Sequence, residues 1–172
     1  MATPATHNRR IRHTHLPMTI SFDIDNTLIP YGDEFPVEHQ TWRHKVLGAE
    51  ALRAGTKRLF QQLARRGHTL LIYTTSYRST STLRRTFYAH GLRPMRYIAG
   101  KENAKTLADH QCTSSKNPRL FGIDVHVDDS IGVQREGEKH GFATIIVAPQ
   151  DTNWVNAVLQ AVVTLEEQQP RK

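Results

Sequence analysis

Four carboxylates stand in two close pairs, Asp23 with Asp25 and Asp128 with Asp129, each pair at the end of a short apolar run. Between the pairs lie a hydroxyl triplet, Thr74-Thr75-Ser76, and the lysines Lys101, Lys105 and Lys116. An Asp-x-Asp on its own is usually a solvated turn or a helix cap. Acidic groups gathered in one confined site, however, raise one another's pKa unless a positive charge lies between them. A hard divalent ion supplies that charge. Mg²⁺ takes oxygen ligands, is held by one or two carboxylates plus waters, and leaves positions for a phosphate. Carboxylates, magnesium, a hydroxyl and a lysine together suit phosphoryl transfer, in which an Asp can attack phosphorus while cations stabilise the equatorial oxygens. The ten histidines show no zinc spacing, and His126 is expected to face a neighbouring strand and not a metal.

The elements that must position these groups alternate. Met18 to Phe22 is a short β-prone run that leads into Asp23 and Asp25, which are expected on the turn leaving the strand. Residues 31–48 have no sustained period and form a small flap with about one helical turn. Apolar residues from Glu50 to Arg66 recur at helical spacing, with Gly67 as the stop. Thr69 to Tyr73 is a continuous apolar run, as in a parallel strand buried on both faces. A helix from Arg78 to His90, a strand over 95–99, an apolar run from Phe121 to Val127, a helix over 134–140, a strand over 143–148 and a helix over 153–165 complete the series. Residues 100–119 carry no legible pattern.

This alternation predicts an α/β fold: a three-layer, Rossmann-like open sheet, mostly parallel, with helices on both faces and no large cap domain. Ligands in such sheets bind at the carboxyl ends of strands. Asp23/Asp25, Thr74/Thr75 and Asp128/Asp129 all fall at predicted strand ends. Residues 1–17 are expected to be a disordered basic arm, 18–166 a single domain and 167–172 a tail.

The 172 residues carry 23 Lys and Arg against 16 Asp and Glu, a formal charge of +7. That balance favours anionic partners, but no groove-reading motif accompanies it, and solvated helix faces explain it more simply. One cysteine, Cys112, excludes an intramolecular disulfide and fits a reducing cytoplasm. No apolar run is long enough for a membrane span, and Met1 to Leu16 lacks the apolar centre of a secretory signal.

The order D-x-D-x-T (Asp23, Asp25, Thr27), a strand-end Thr, a Lys, and an apolar strand ending in Asp-Asp resembles the haloacid dehalogenase (HAD) superfamily of phosphohydrolases over about residues 18–148. The resemblance implies that Asp23 is the nucleophile and a magnesium ligand. It makes Asp25 the general acid/base, with its backbone carbonyl on the metal, and Thr74 a phosphate-binding residue, with Thr75 as a one-residue register alternative. Asp129 is the preferred metal ligand of its pair, with Asp128 close by. For the phosphate-binding lysine, Lys116 in Lys116-Asn117-Pro118 is preferred over Lys105. Asp25 favours phosphate esters over halides, because dehalogenases lack an acid there.

The expected protein is thus a Mg²⁺-dependent phosphatase acting on a phosphorylated small molecule, with a macromolecular phosphate as the alternative and no membrane partner. A minimal cap leaves room for a homo-oligomer whose second subunit acts as lid. Phe35 and Trp42 either line the pocket or pack the flap onto the domain. Two rival readings are a phospho-receiver module, disfavoured by motif order, and an inactive HAD-fold binding protein, disfavoured because every acidic position is filled. Thr27 is expected either to act at the site or to hydrogen-bond the turn.

Overall fold

The computed structural model describes residues 16–168; most of the expected N-terminal arm and C-terminal tail lie outside them. Five parallel strands form one open sheet in the order β3-β2-β1-β4-β5: β1 (Thr19–Phe22), β2 (Thr69–Tyr73), β3 (Arg96–Ile98), β4 (Val125–Asp128) and β5 (Ala143–Ile146). Among the described residues, six α-helices connect and cover them: α1 (Trp42–Val46), α2 (Thr56–Arg65), α3 (Thr80–Ala89), α4 (Gly100–Asp109), α5 (Ile131–His140) and α6 (Trp154–Gln168). The fold is α/β and Rossmann-like, and the sheet is parallel throughout.

Period-2 alternation sorts the two faces. Ile20 and Phe22 of β1 and Leu70 and Ile72 of β2 point into one core with Leu59, Phe60 and Leu63 of α2, Leu83 and Phe87 of α3, and Val155, Val158 and Val162 of α6. Leu71 and Tyr73 point the other way, into a smaller cluster with Ile98 and Ile123. On that second face the Tyr73 hydroxyl donates to Asn103 of α4 at 2.5 Å. Helices therefore flank both faces, as the continuous apolar run of β2 requires.

The helix expected from Glu50 begins only at Thr56. Residues before it are claimed by the flap: Arg53 N donates to Leu28 O at 2.7 Å, Glu38 N to Leu52 O at 2.7 Å, and Ala54 N to Pro36 O at 2.8 Å. Gly55 then turns the chain at φ +92°, where an added Cβ would lie 2.7 Å from Val155 Cγ2. Only glycine meets both conditions. The unpatterned stretch 100–119 contains α4 and a short 3-10 turn at Pro118–Phe121. Lone Leu107 and a buried Asn103 leave α4 without an apolar stripe to read.

Arg53 fastens the flap. Its side chain is almost wholly buried, and its guanidinium donates to the carbonyls of Ala148, Pro149 and Asp151 at 3.0, 2.9 and 2.8 Å. It lies 4.5 Å from the Phe35 ring centroid and 4.8 Å from that of Trp154. Phe35 thus packs the flap onto the domain, while Trp42 on α1 is exposed. Methionine at position 53 keeps the volume but strands three carbonyls. Arg53→Met is expected to destabilise the fold by about 3 kcal/mol, read by urea unfolding; a change under about 1 kcal/mol would remove the guanidinium from this role.

Candidate active site

The sheet register builds the site. Phe22 is paired with Ile72 on one side and Val127 on the other, so Asp23, Thr74 and Asp128 emerge together at the carboxyl ends of three adjacent strands. Asp23 N still donates to Val127 O at 2.9 Å, and immediately afterwards the chain turns. Leu28 N and Ile29 N both donate to Ile24 O, at 2.9 and 2.8 Å, with Asn26 at φ +56°. Asn is one of the few side chains that tolerate this left-handed conformation. The turn holds Asp23 inside and carries Asp25 to the half-buried rim. Thr27 stays buried, and its hydroxyl donates to Asp129 Oδ1 at 3.1 Å, so it links the first acidic pair's turn to the second pair.

Lys116 lies between the two pairs. Its Nζ is 2.7 Å from Asp23 Oδ1 and 2.6 Å from Asp128 Oδ2, and all three residues are buried. The loop that carries it is held from beneath. Asn117 N donates to the Tyr73 hydroxyl at 2.9 Å, and Asn103 Nδ2 to Ser115 O at 2.9 Å. Glu136 of α5 accepts from Ser115 N and Oγ at 2.7 and 2.8 Å. Lys105, in contrast, is on the exposed side of α4.

Charge and burial oppose one another here. Burial pushes the Asp23 carboxyl up, against the pull of the Lys116 ammonium. Burial works to lower Lys116, but Asp23 and Asp128 outweigh it and hold the ammonium above its ordinary value. For Asp128 burial is likewise overcome, by the hydrogen bond from His126 and by Lys116, and its carboxyl falls below the usual range. Burial, then the charge of Asp128, raises Asp129. His126 Nε2 is 2.9 Å from Asp128 Oδ2 and its Nδ1 2.8 Å from Ser21 Oγ. A carboxylate only accepts, so the ring proton sits on Nε2 and Ser21 donates to Nδ1. Burial keeps this imidazole neutral by lowering its pKa. As expected, His126 faces the neighbouring strand, and it orients Asp128.

At the rim, Arg78 Nη1 is 2.5 Å from Asp25 Oδ1, and its Nε donates to both Glu50 oxygens at 3.0 Å. Burial pulls the guanidinium down, but Asp25 and Glu50 prevail and raise it. Tyr31, largely exposed, faces the same carboxylate; slight burial and Asp25 push its phenol up. Thr74 is buried, and its Oγ1 accepts from Ser76 N at 3.1 Å, while Thr75 is exposed. The backbone after β2 presses on α4: a Cβ on Gly100 would meet Thr75 O at 2.5 Å.

Carboxylate oxygens of Asp23, Asp128 and Asp129 lie within 4.8 Å of one another. This all-oxygen set fits a hard divalent cation. Asp25 gives no side-chain oxygen to it, being turned to Arg78.

The carboxylates and Lys116 that meet here stand out in the sequence; the contacts made by Arg78, Tyr73, Asn103, Ser21 and Glu136 do not. Arg78 carried one available signal, its place four residues beyond a predicted strand-end hydroxyl. The others act through contacts made only when distant segments meet.

No family model and no curated protein matches the chain. A solved structure described as a predicted HAD-like family hydrolase from Porphyromonas gingivalis is similar at 12% identity and a TM-score of 0.40, over 89% of this chain and 99% of that one. No helix among the described residues is long and apolar enough to cross a membrane.

Proposed function

We propose that the protein is a Mg²⁺-dependent phosphatase that hydrolyses phosphate monoesters through an aspartyl-phosphate. The observation that carries this reading is the Lys116 ammonium joining Asp23 and Asp128 at adjacent strand ends. A cation beside a buried carboxylate nucleophile is what an incoming phosphoryl group needs.

Asp23 attacks phosphorus and the bond to the leaving oxygen breaks, with Asp25 giving that oxygen its proton. Asp25, now a carboxylate, takes a proton from water, whose oxygen attacks the same phosphorus and releases inorganic phosphate, restoring Asp23. Lys116 and Thr74 hold phosphoryl oxygens through both halves. Arg78 holds the Asp25 side chain at the rim, and its contacts to Glu50 keep the guanidinium in place when the substrate parts it from Asp25. Asp23, Asp129, Asp128 and the Asp25 carbonyl are the groups to hold magnesium, which when bound supplies charge neutralisation at phosphorus.

The test is release of phosphate from a chromogenic monoester. Turnover is expected with Mg²⁺ and is expected to vanish with EDTA. Metal-independent turnover, or none on a broad panel of monoesters, would refute the reading.

A further inference from the structure

Charge along this chain is divided sharply. The 51 residues from Ala51 to Lys101 hold eleven of the 23 Lys and Arg and none of the 16 Asp and Glu, so the rest of the chain is net acidic. Within that basic segment, α3 begins two residues beyond Arg78, the arginine that reaches Asp25. Along α3 and the loop after it runs an open groove of about 500 Å³, lined by Thr80, Ser81, Arg84, Arg85, Tyr88 and Arg93. No acidic side chain lines it, and among the described residues none of its three arginines is in an ion pair. All three are exposed. Surface arginines left without carboxylates over such a length are suited to an anion that repeats.

The aromatic residues narrow the class. Tyr77 is 88% exposed beside Arg78 at the rim, and Tyr88 is 55% exposed in the groove. The Arg93 guanidinium lies 4.6 Å from the Tyr88 ring centroid. Exposed rings alternating with guanidinium groups are the surface on which bases stack while phosphates are neutralised. A lipid headgroup or an acidic side chain offers no π-face to stack on these rings, whereas every base does. The ten residues of α3 span about 15 Å, the length of roughly four nucleotides of one strand.

We propose that this groove binds single-stranded nucleic acid along α3, with the strand's phosphorylated end directed past Arg78 toward Asp23. The inference rests on the phosphatase reading for its direction but not for its binding. It names the substrate class of that site as nucleic-acid ends.

Binding is read first, by fluorescence anisotropy of a labelled oligothymidylate of about twelve nucleotides without a terminal phosphate, which the site cannot hydrolyse. The full-length protein is expected to bind it. Charge reversal by Arg84→Glu, Arg85→Glu and Arg93→Glu together is expected to weaken binding at least tenfold. Neutralising the three with serine is expected to flatten the slope of log affinity against log salt by about 2. Tyr88→Ala, which leaves the charge intact, is expected to cost at least about fivefold in affinity. Turnover is read second: the serine variant is expected to raise KM for a terminally phosphorylated oligonucleotide about tenfold and to leave kcat/KM for a small chromogenic ester unchanged. Unaltered anisotropy in the arginine variants overturns the proposal. So does groove-dependent binding of phosphatidylserine vesicles or polyglutamate in place of the oligonucleotide. Absence of turnover on every ester would remove the phosphatase reading alone, because anisotropy decides the groove without it.

Discussion

Asp23→Asn is expected to abolish phosphatase turnover, by at least roughly a thousandfold, while the protein stays folded. The substitution preserves shape and removes the oxygen proposed to attack phosphorus. Lys116 keeps its 2.6 Å contact with Asp128, so no buried charge is orphaned by the change. After acid quench during turnover, the wild-type peptide containing Asp23 is expected to carry a phosphate adduct, and the Asn protein none. A variant within tenfold of wild type, or an adduct on another residue, would place the nucleophile elsewhere.

Lys116→Met is expected to do damage of two kinds. The buried ammonium separates two buried carboxylates, and its loss leaves them facing one another without compensation. Breaking a buried ion pair from one side costs about 3–5 kcal/mol, which for a domain of this size lowers Tm by on the order of 10 °C. Turnover is expected to fall by about two to three orders of magnitude as well, since the proposed mechanism has this cation hold the phosphoryl oxygens. The same change at Lys105, exposed on α4, is expected to alter neither quantity. If Lys105→Met proved the more damaging, the assignment of the phosphate-binding cation would be reversed.

Those two residues also mark what could be read from the chain. Asp23 and Asp128 were legible because strands in a parallel sheet are short apolar runs, and polar residues at their carboxyl ends stand out by contrast. Thr69 to Tyr73 was legible to the residue, since burial on both faces leaves no polar position to blur it. Lys116 could be preferred over Lys105 through its neighbours, and Pro118 does open the 3-10 turn that follows. The missing information is of another sort. The α2 start is set by hydrogen bonds between residues 52–54 and residues 28, 36 and 38, which no helical period records. Arg78 looked like one more helix cation. Only the tertiary fold, which brings Asp25 and Glu50 to it, gives it a place at the rim.

The central position of β1 also bears on how the chain reaches this state. Ser21 pairs with Leu71, 50 residues on, and with His126, 105 residues on. Neither neighbour is local, so loop closure precedes any gain from pairing, which slows folding. A nascent chain that has released β1 and β2 still exposes one edge of β1, and that edge is the one that must receive β4. Asp23 and Asp128 therefore meet only when more than two thirds of the chain is available. A truncation ahead of Val125 removes more than the second acidic pair: it leaves the innermost strand as an open edge prone to self-association.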